Sequence, residues 1–177
     1  MRCHSTAAAL ALVFGLVACQ PTLNWRQARF EAADLVALLP CKPDRGQRAV
    51  ALAGQELELH MLGCDAGGST YALSQAELPE AALAGAALAQ WKAATLVNMR
   101  ASASKDVPFV PRGSLALPQS VRMAATGQRA DGRAVAAEAV WFAQVHGARV
   151  HLFHAVVYAD RIPPEAAETF FSGLQLP

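Results

Sequence analysis

Two groups of side chains have the types and spacing that could support metal or acid–base chemistry. His151 and His154 form the closest pair of histidines, but an odd spacing on a strand directs them to opposite faces, so they would not share a metal ion. Glu56, Glu58 and His60 would share one face of a strand and could hold a cation, although a solvated polar face is the commoner reason for this pattern. The sequence therefore predicts no metal site.

Other catalytic motifs are missing as well. No serine lies in a Gly-x-Ser-x-Gly motif, which would place a nucleophile on a sharp turn. The glycine-rich stretch GCDAGGST, residues 63–70, lacks the lysine and the helix start of a phosphate-binding loop and favours a turn. We therefore predict a protein that is not an enzyme and has no cofactor, with an unrecognised hydrolase as the least favoured alternative.

Residues 1–18 have the pattern of an export signal. Arg2 and His4 precede an uncharged stretch over residues 5–18, which is too short to span a bilayer. A short positive start, an apolar middle and small residues before a cleavage point are typical of a secretory signal peptide. We therefore predict that residues 1–18 are removed on export.

The last three residues of this stretch together with Cys19, Leu16 to Cys19 (LVAC), resemble the lipobox of bacterial lipoproteins. The resemblance implies a diacylglycerol on the Cys19 thiol and cleavage before that residue, so residues 19–24 would form a lipidated tether and residues 25–177 a single domain. Gln20 stands where an aspartate would favour the inner membrane, so the resemblance implies a lipid anchor facing the periplasm, with the outer membrane favoured. The alternative is an ordinary signal peptide cut nearby, with Cys19 unmodified.

The charge balance limits the classes of partner. The chain has 15 basic and 14 acidic residues, and of these only Arg2 lies in the predicted signal peptide. Nucleic-acid binding requires a basic surface, so this balance argues against it. It also argues against electrostatic attachment to anionic lipid, so acyl chains on Cys19 would have to hold the protein at the membrane.

Cys41 and Cys64 are the two cysteines left in the predicted domain. In an oxidising compartment an even pair favours a disulfide, which we predict between them. Two free thiols or a metal pair are the alternatives, but no flanking histidine or second cysteine pair completes a zinc site.

The sequence of the first half of the domain predicts a strand, a hairpin and a further strand. The apolar run Asp34–Pro40, DLVALLP, is typical of a buried strand that ends at the proline. Apolar and polar residues alternate within residues 48–62, and this pattern predicts a hairpin that turns at Gly54-Gln55. Residues 69–78 predict a further strand, which Pro79 ends.

The rest of the domain predicts two helices and a meander. Residues 79–99 are rich in alanine and leucine, with Leu83, Ala87, Trp91 and Ala94 on one helical face. Residues 121–159 predict three strands, joined by turns at Asp131-Gly132 and His146-Gly147. A last helix should begin near Pro163 and end near Gly173, and dock on the sheet through Phe170, Phe171 and Leu174.

These elements predict an α+β fold, with an antiparallel sheet between two main helices in an α/β/α-type sandwich. Their order over residues 25–176 resembles the PsbP-like fold, which is shared with the Ran-binding Mog protein, and is similar to that of small uncharacterised bacterial lipoproteins. The resemblance implies a binding or assembly role.

The segment Met99–Ser120 is the longest one without a helical or strand period. Loops of this length are often functional, and Phe109 lies in it between two prolines with Arg112 close by. We predict that Phe109 and Arg112 form part of a partner or ligand site. The alternative is that the segment packs back on the sheet as an edge strand.

Two functions follow as expectations. The first is a lipid-anchored periplasmic module that binds or assembles with another envelope component without catalysis. The second is a small-molecule carrier with a pocket between sheet and helices. An apolar cavity lined by Trp91, Trp141 and Phe153 would favour the carrier, whereas a flat exposed apolar patch would favour protein contact.

Overall fold

The computed structural model describes residues 22–177 as an α+β fold, in which the strands are antiparallel. A two-stranded sheet, β1–β2, precedes a seven-stranded sheet of order β3-β4-β5-β9-β8-β7-β6. The strands are β1 Arg26–Phe30, β2 Leu35–Leu39, β3 Asp44–Leu52, β4 Gln55–Ala66, β5 Ser69–Leu78, β6 Ala103–Pro108, β7 Val121–Gln128, β8 Ala134–His146 and β9 Arg149–Ala159. The helices are α1 Ala84–Asn98 and α2 Pro164–Ser172, and short 3-10 turns occupy Glu31–Ala33 and Ala81–Leu83. No helix of these residues is long and apolar enough to cross a membrane.

The buried strand predicted over 34–40 is confirmed as β2, but its partner β1 was not predicted. β1 buries Ala28 and Phe30 and exposes Arg26, Gln27 and Arg29. The alternation is present in the sequence, but it extends over too few residues between polar ones to stand out. The segment before β1 also packs on the domain, since the Asn24 N–H donates to the carbonyl of Pro40 over 2.7 Å.

The hairpin β3–β4 is confirmed, but its predicted turn is displaced by one residue. Leu52 pairs with Gln55, so the turn residues are Ala53 and Gly54, both with positive φ. The next hairpin, β4–β5, turns at Gly67-Gly68, within the glycine-rich stretch predicted to be a turn. Both glycines have positive φ, which explains why a Gly-Gly pair stands there.

Helix α1 is confirmed, and the face predicted for it is partly wrong. Ala87 and Trp91 are buried as expected, but Ala94 is exposed and Thr95 is buried instead. The position four residues after Trp91 lies more directly below it than the position three residues after. The Thr95 hydroxyl is satisfied there by the Trp91 carbonyl, 3.0 Å away.

The meander β7–β8–β9 is confirmed, with different turns from those predicted. Asp131 and Gly132 belong to a five-residue connection between Gln128 and Ala134, in place of a two-residue turn. His146 pairs with Arg149, which makes Gly147 and Ala148 the turn residues of the second hairpin. In both connections the glycine with positive φ was predicted correctly, but the pairing of the residues on either side of the turn was predicted wrongly.

The segment Met99–Ser120 contains an edge strand, β6, at Ala103–Pro108. All six of its side chains are exposed, so no alternation of apolar residues marks it in the sequence. Between α1 and β6 the chain passes close to Gly127 of β7, where the carbonyl of Met99 leaves room only for a glycine.

The two main helices lie on opposite faces of the seven-stranded sheet. Alternate residues of β8 and β9 enter two separate apolar clusters, so that Trp141 faces α1 while Phe142 and Phe153 face α2. Phe170 and Phe171 of α2 are buried in the second cluster, as predicted, together with the β1–β2 hairpin. Both faces are therefore covered, which explains why β9 is buried almost throughout.

Candidate functional site

A cavity of about 280 Å³ lies between α1 and the part of the sheet formed by β3, β4, β5 and β9. We call it the α1 cavity. Its walls are mostly apolar, and its polar members come from α1, β3, β5 and β9. It is lined by Arg48, Val50, Ala51, Leu52, Leu59, Met61, Ala72, Ser74, Trp91, Ala94, Thr95, Asn98, His154, Val156 and Tyr158.

The sheet brings three hydrogen-bonding side chains into one row beneath α1. Ser74 on β5 is the register partner of His154 on β9, which is in turn the partner of Trp141 on β8. The imidazole of His154 stacks on Trp141 at 4.7 Å between ring centroids, and Trp91 of α1 covers it at 5.3 Å. The strand period thus places Ser74 and His154 side by side on the floor of the cavity.

Burial controls the charge of His154. The side chain is 7% exposed, and desolvation lowers its pKa to about 3, so the imidazole is neutral at ordinary pH. Neither His154 Nε2 nor Trp141 Nε1 has a hydrogen-bond partner among residues 22–177. Buried polar atoms of proteins are normally paired, so these two atoms are unusual. Of the two residues, His154 lines the cavity and Trp141 lies behind it.

The mouth of the cavity differs from its floor. Arg48 on β3 and Asn98 at the end of α1 are exposed, whereas Trp91, Thr95 and His154 are buried. Arg48 forms no ion pair with another residue of the described chain, and none of the described lining residues is acidic. Burial raises the pKa of Tyr158, which keeps its hydroxyl protonated. In the described part of the chain, the mouth therefore presents Arg48 as a cation without an ion-pair partner, beside neutral hydrogen-bonding groups.

The three aromatic residues expected to line a carrier pocket are separated by the structure. Trp91 lines the α1 cavity, Trp141 is fully buried behind His154, and Phe153 lies on the opposite face of the sheet. Phe153 directly precedes His154 on β9, and adjacent residues of a strand point to opposite faces. Of the three aromatic residues whose shared cavity would have favoured a carrier, the α1 cavity is therefore lined by Trp91 alone. The same rule correctly separated His151 from His154, but it gave no indication that His154 would border a cavity.

A second depression, an open groove of about 520 Å³, lies on the other face between the β1–β2 connection and β3–β4. Its buried edge is Gln75, whose amide lies 2.9 Å from His151 Nδ1. His60 borders the groove and pairs with Glu58 at 3.0 Å. Within residues 22–177 no group of three histidine, cysteine or acidic side chains could hold a metal ion.

Cys41 and Cys64 are joined by a disulfide in the structure, as predicted. The bond ties the chain after β2 to β4 and thereby links the two sheets. The predicted signal peptide and the predicted lipidation site, Cys19, lie outside the described residues.

Phe109 and Arg112 have different surroundings in the structure. The Phe109 ring is half-buried, lies 5.9 Å from the ring of Phe142 and joins the apolar cluster on the α2 face, opposite the α1 cavity. Its N–H donates to the carbonyl of Ser120 over 2.9 Å. Arg112 is exposed. The position of Phe109 agrees with the packing alternative, and a binding role for the pair stays a prediction.

Comparisons with known proteins do not assign this chain to a family. No family model matches it, and no curated protein matches it. Among solved structures it is similar to a Pseudomonas aeruginosa protein of unknown function, with 15% sequence identity, a TM-score of 0.29, and coverage of 75% of this chain and 81% of that one. At this level the similarity assigns neither a family nor a function.

Proposed function

We propose that this chain is a lipid-anchored, non-catalytic binding protein of the bacterial cell envelope, and that the α1 cavity takes a small apolar molecule. The observation that carries the second part is the cavity itself, with its apolar walls and with His154 on its floor, whose Nε2 has no hydrogen-bond partner within residues 22–177. Concave apolar sites with a few convergent polar groups are the usual form of small-molecule sites. The lipobox-like residues 16–19 support the first part.

The chemistry of the cavity favours binding over catalysis. A general base works best with a pKa near the operating pH, whereas the pKa of His154 is lowered to about 3 by burial. Among the described lining residues the aliphatic hydroxyls are those of Ser74 and Thr95, and the Thr95 hydroxyl already donates to the Trp91 carbonyl. His154 therefore suits a role as a neutral hydrogen-bonding partner.

The element order supports a PsbP-like α/β/α arrangement as part of this proposal. A hairpin, a long helix on one face, a three-stranded meander and a closing helix on the other face follow one another along the chain. Fold resemblance alone gives no activity, so the binding role is argued from the cavity.

The lipid anchor is tested by Cys19→Ser, with Cys3→Ser as the matched control. Cys3 lies within the segment predicted to be removed, so its replacement should leave maturation unchanged. Cys19→Ser should block processing and move the protein out of the detergent phase in phase partitioning. Recovery of a soluble wild-type protein, correctly cut and without the mass of an acyl group, would refute the anchor.

The cavity is tested with a neutral apolar dye, N-phenyl-1-naphthylamine, whose fluorescence rises when it leaves water. Ala94 is exposed and borders the mouth, so Ala94→Phe should fill the entrance without disturbing the core and should abolish dye binding. Ala93→Phe adds the same ring at an exposed neighbour that does not line the cavity. Equal binding by both variants would show that the dye binds elsewhere.

A contact with another envelope protein is the second candidate. It is favoured by two exposed valines near the edge of the sheet, Val107 on β6 and Val110 beyond it, which are 47% and 50% exposed. Apolar side chains beside an unpaired strand edge can support addition of a partner strand. Photocrosslinking from position 110 in intact envelopes would identify such a partner, and the absence of any crosslink would count against it.

A further inference from the structure

The polar groups at the mouth of the α1 cavity indicate the class of ligand. We propose that the cavity binds a single-chain amphiphile with an anionic head group, with the alkyl chain inside and the carboxylate or phosphate held at Arg48. This inference rests on the proposed binding function, because it requires that the α1 cavity takes a ligand at all.

The inner walls suit an alkyl chain. Leu59 and Met61 of β4 and Val156 of β9 enclose the space, with Trp91 of α1 as its cover. An apolar cavity of about 150 Å³ is enough to hold benzene, so a volume of about 280 Å³ accommodates roughly ten carbon atoms. Methionine adapts its shape easily, which allows Met61 to adjust to chains of different length.

The mouth suits an anion. Arg48 lies on β3 with its side chain on the α1 face, because its register partner Leu59 belongs to the cluster on that face. Arginine binds carboxylate and phosphate groups through two parallel hydrogen bonds, and at this site no described carboxylate competes for it. Asn98 and the protonated hydroxyl of Tyr158 border the same space and can donate further hydrogen bonds to the head group. A cationic head group would be repelled by Arg48, and none of the described lining residues is acidic.

The floor of the cavity determines the orientation of the ligand. The pKa of His154 lies far below ordinary pH because the ring is buried, so the imidazole gives no positive charge to hold an anion inside. Moving an ionised group onto this apolar floor would cost its hydration without a compensating charge. The head group therefore stays at the mouth, and the chain enters first.

The experiment titrates the purified domain with decanoate, decyl phosphate, decanol and decyltrimethylammonium below their micellar concentrations, by calorimetry and by tryptophan fluorescence. Decanoate and decyl phosphate should bind more tightly than decanol, and the cationic amphiphile should bind least. Arg48→Gln should weaken the binding of both anions about tenfold, the value of one charge-assisted hydrogen bond, and leave decanol unchanged. Whichever anion binds more tightly distinguishes a carboxylate from a phosphate head group.

Arg45→Gln is the matched control, because Arg45 lies on the same edge strand and is exposed but does not line the α1 cavity. It should leave the affinity for every probe unchanged. Decanol binding with no preference for the anions, or an Arg48→Gln variant with unchanged decanoate affinity, would overturn the anionic ligand while leaving the binding function intact. Failure of all four probes to bind would overturn the binding function as well.

Discussion

The imidazole of His154 stacks on the indole of Trp141 with the ring planes only 15° apart, inside an apolar layer of the protein. The folded state holds this ring neutral, with a pKa of about 3, whereas in the unfolded chain the ordinary value is about 6.5. Between these values the unfolded chain binds more protons than the folded one. The contribution of His154 to stability is therefore complete above about pH 6.5 and is lost as the pH falls toward 3.

We predict that His154→Phe reduces the acid sensitivity of folding. The free energy of unfolding of the wild-type protein, measured by urea denaturation, should fall by several kcal/mol between pH 7 and pH 4, and the variant should lose much less over the same interval. Burial also lowers the pKa of His151, so this residue contributes to the pH dependence of stability in the wild type and in the variant alike. Replacement of the exposed His60 by phenylalanine is the control. Identical slopes for wild type and His154→Phe would contradict the prediction.

We predict that Gly127→Ala is strongly destabilising. A Cβ at this position would lie 2.2 Å from the carbonyl oxygen of Met99, which is backbone and cannot rotate away. That same carbonyl accepts the N–H of Gln128 over 2.7 Å, so the end of α1 is held against β7 there. Chemical denaturation should show a loss of about 3 kcal/mol, the upper end of the range for overpacking.

Gly46→Ala is the control for this change. Gly46 is also on a strand, but its added Cβ would meet only the flexible end of Met61, at an ordinary contact distance of 3.5 Å. It should therefore leave the free energy of unfolding nearly unchanged. Similar losses of unfolding free energy in the two variants would show that the close approach of Gly127 to Met99 is not the cause of the destabilisation.

Some elements of the fold were predictable from the sequence and others were not. The strands β2, β5 and β9 were predictable because their apolar residues run or alternate over many positions, and α2 because Pro163 and Gly173 mark its ends. β6 was not predictable, since an edge strand exposed on both faces leaves no pattern of burial. The cavity was not predictable either, because it depends on the register that places Ser74 beside His154, and register is set across the whole sheet.

We predict that loss of the Cys41–Cys64 bond lowers stability without changing the fold. The bond joins residues separated by 23 positions, and closing a loop of that length restricts the unfolded chain by about 3 kcal/mol. The double variant Cys41→Ala with Cys64→Ala should therefore unfold at lower urea concentration. Alkylation before and after reduction, followed by intact mass, should show that both thiols are protected in the exported wild-type protein; labelling of both before reduction would contradict this.

We predict that Phe109 and Arg112 affect different properties. Phe109→Ala should lower the free energy of unfolding by about 2 kcal/mol, because it removes a half-buried ring from contact with Phe142. Arg112→Ala should leave stability unchanged, since the side chain is exposed. A binding role of this segment predicts in addition that Arg112→Ala weakens crosslinking to an envelope partner. Retention of the full crosslink in both variants would remove these residues from the site.

The two outer strands of the seven-stranded sheet, β3 and β6, also affect how copies of the protein meet in solution. Each has one side without a strand partner among residues 22–177, and such unpaired backbone groups can recruit a strand of a neighbouring molecule. β3 carries Arg45 and Arg48, and β6 carries Lys105 and ends at a proline that cannot donate a hydrogen bond. Charged side chains on both edge strands and the missing donor at the end of β6 oppose the pairing of sheets edge to edge. The protein can therefore keep an open sheet, with access to the cavity beside β3, without becoming prone to form aggregates.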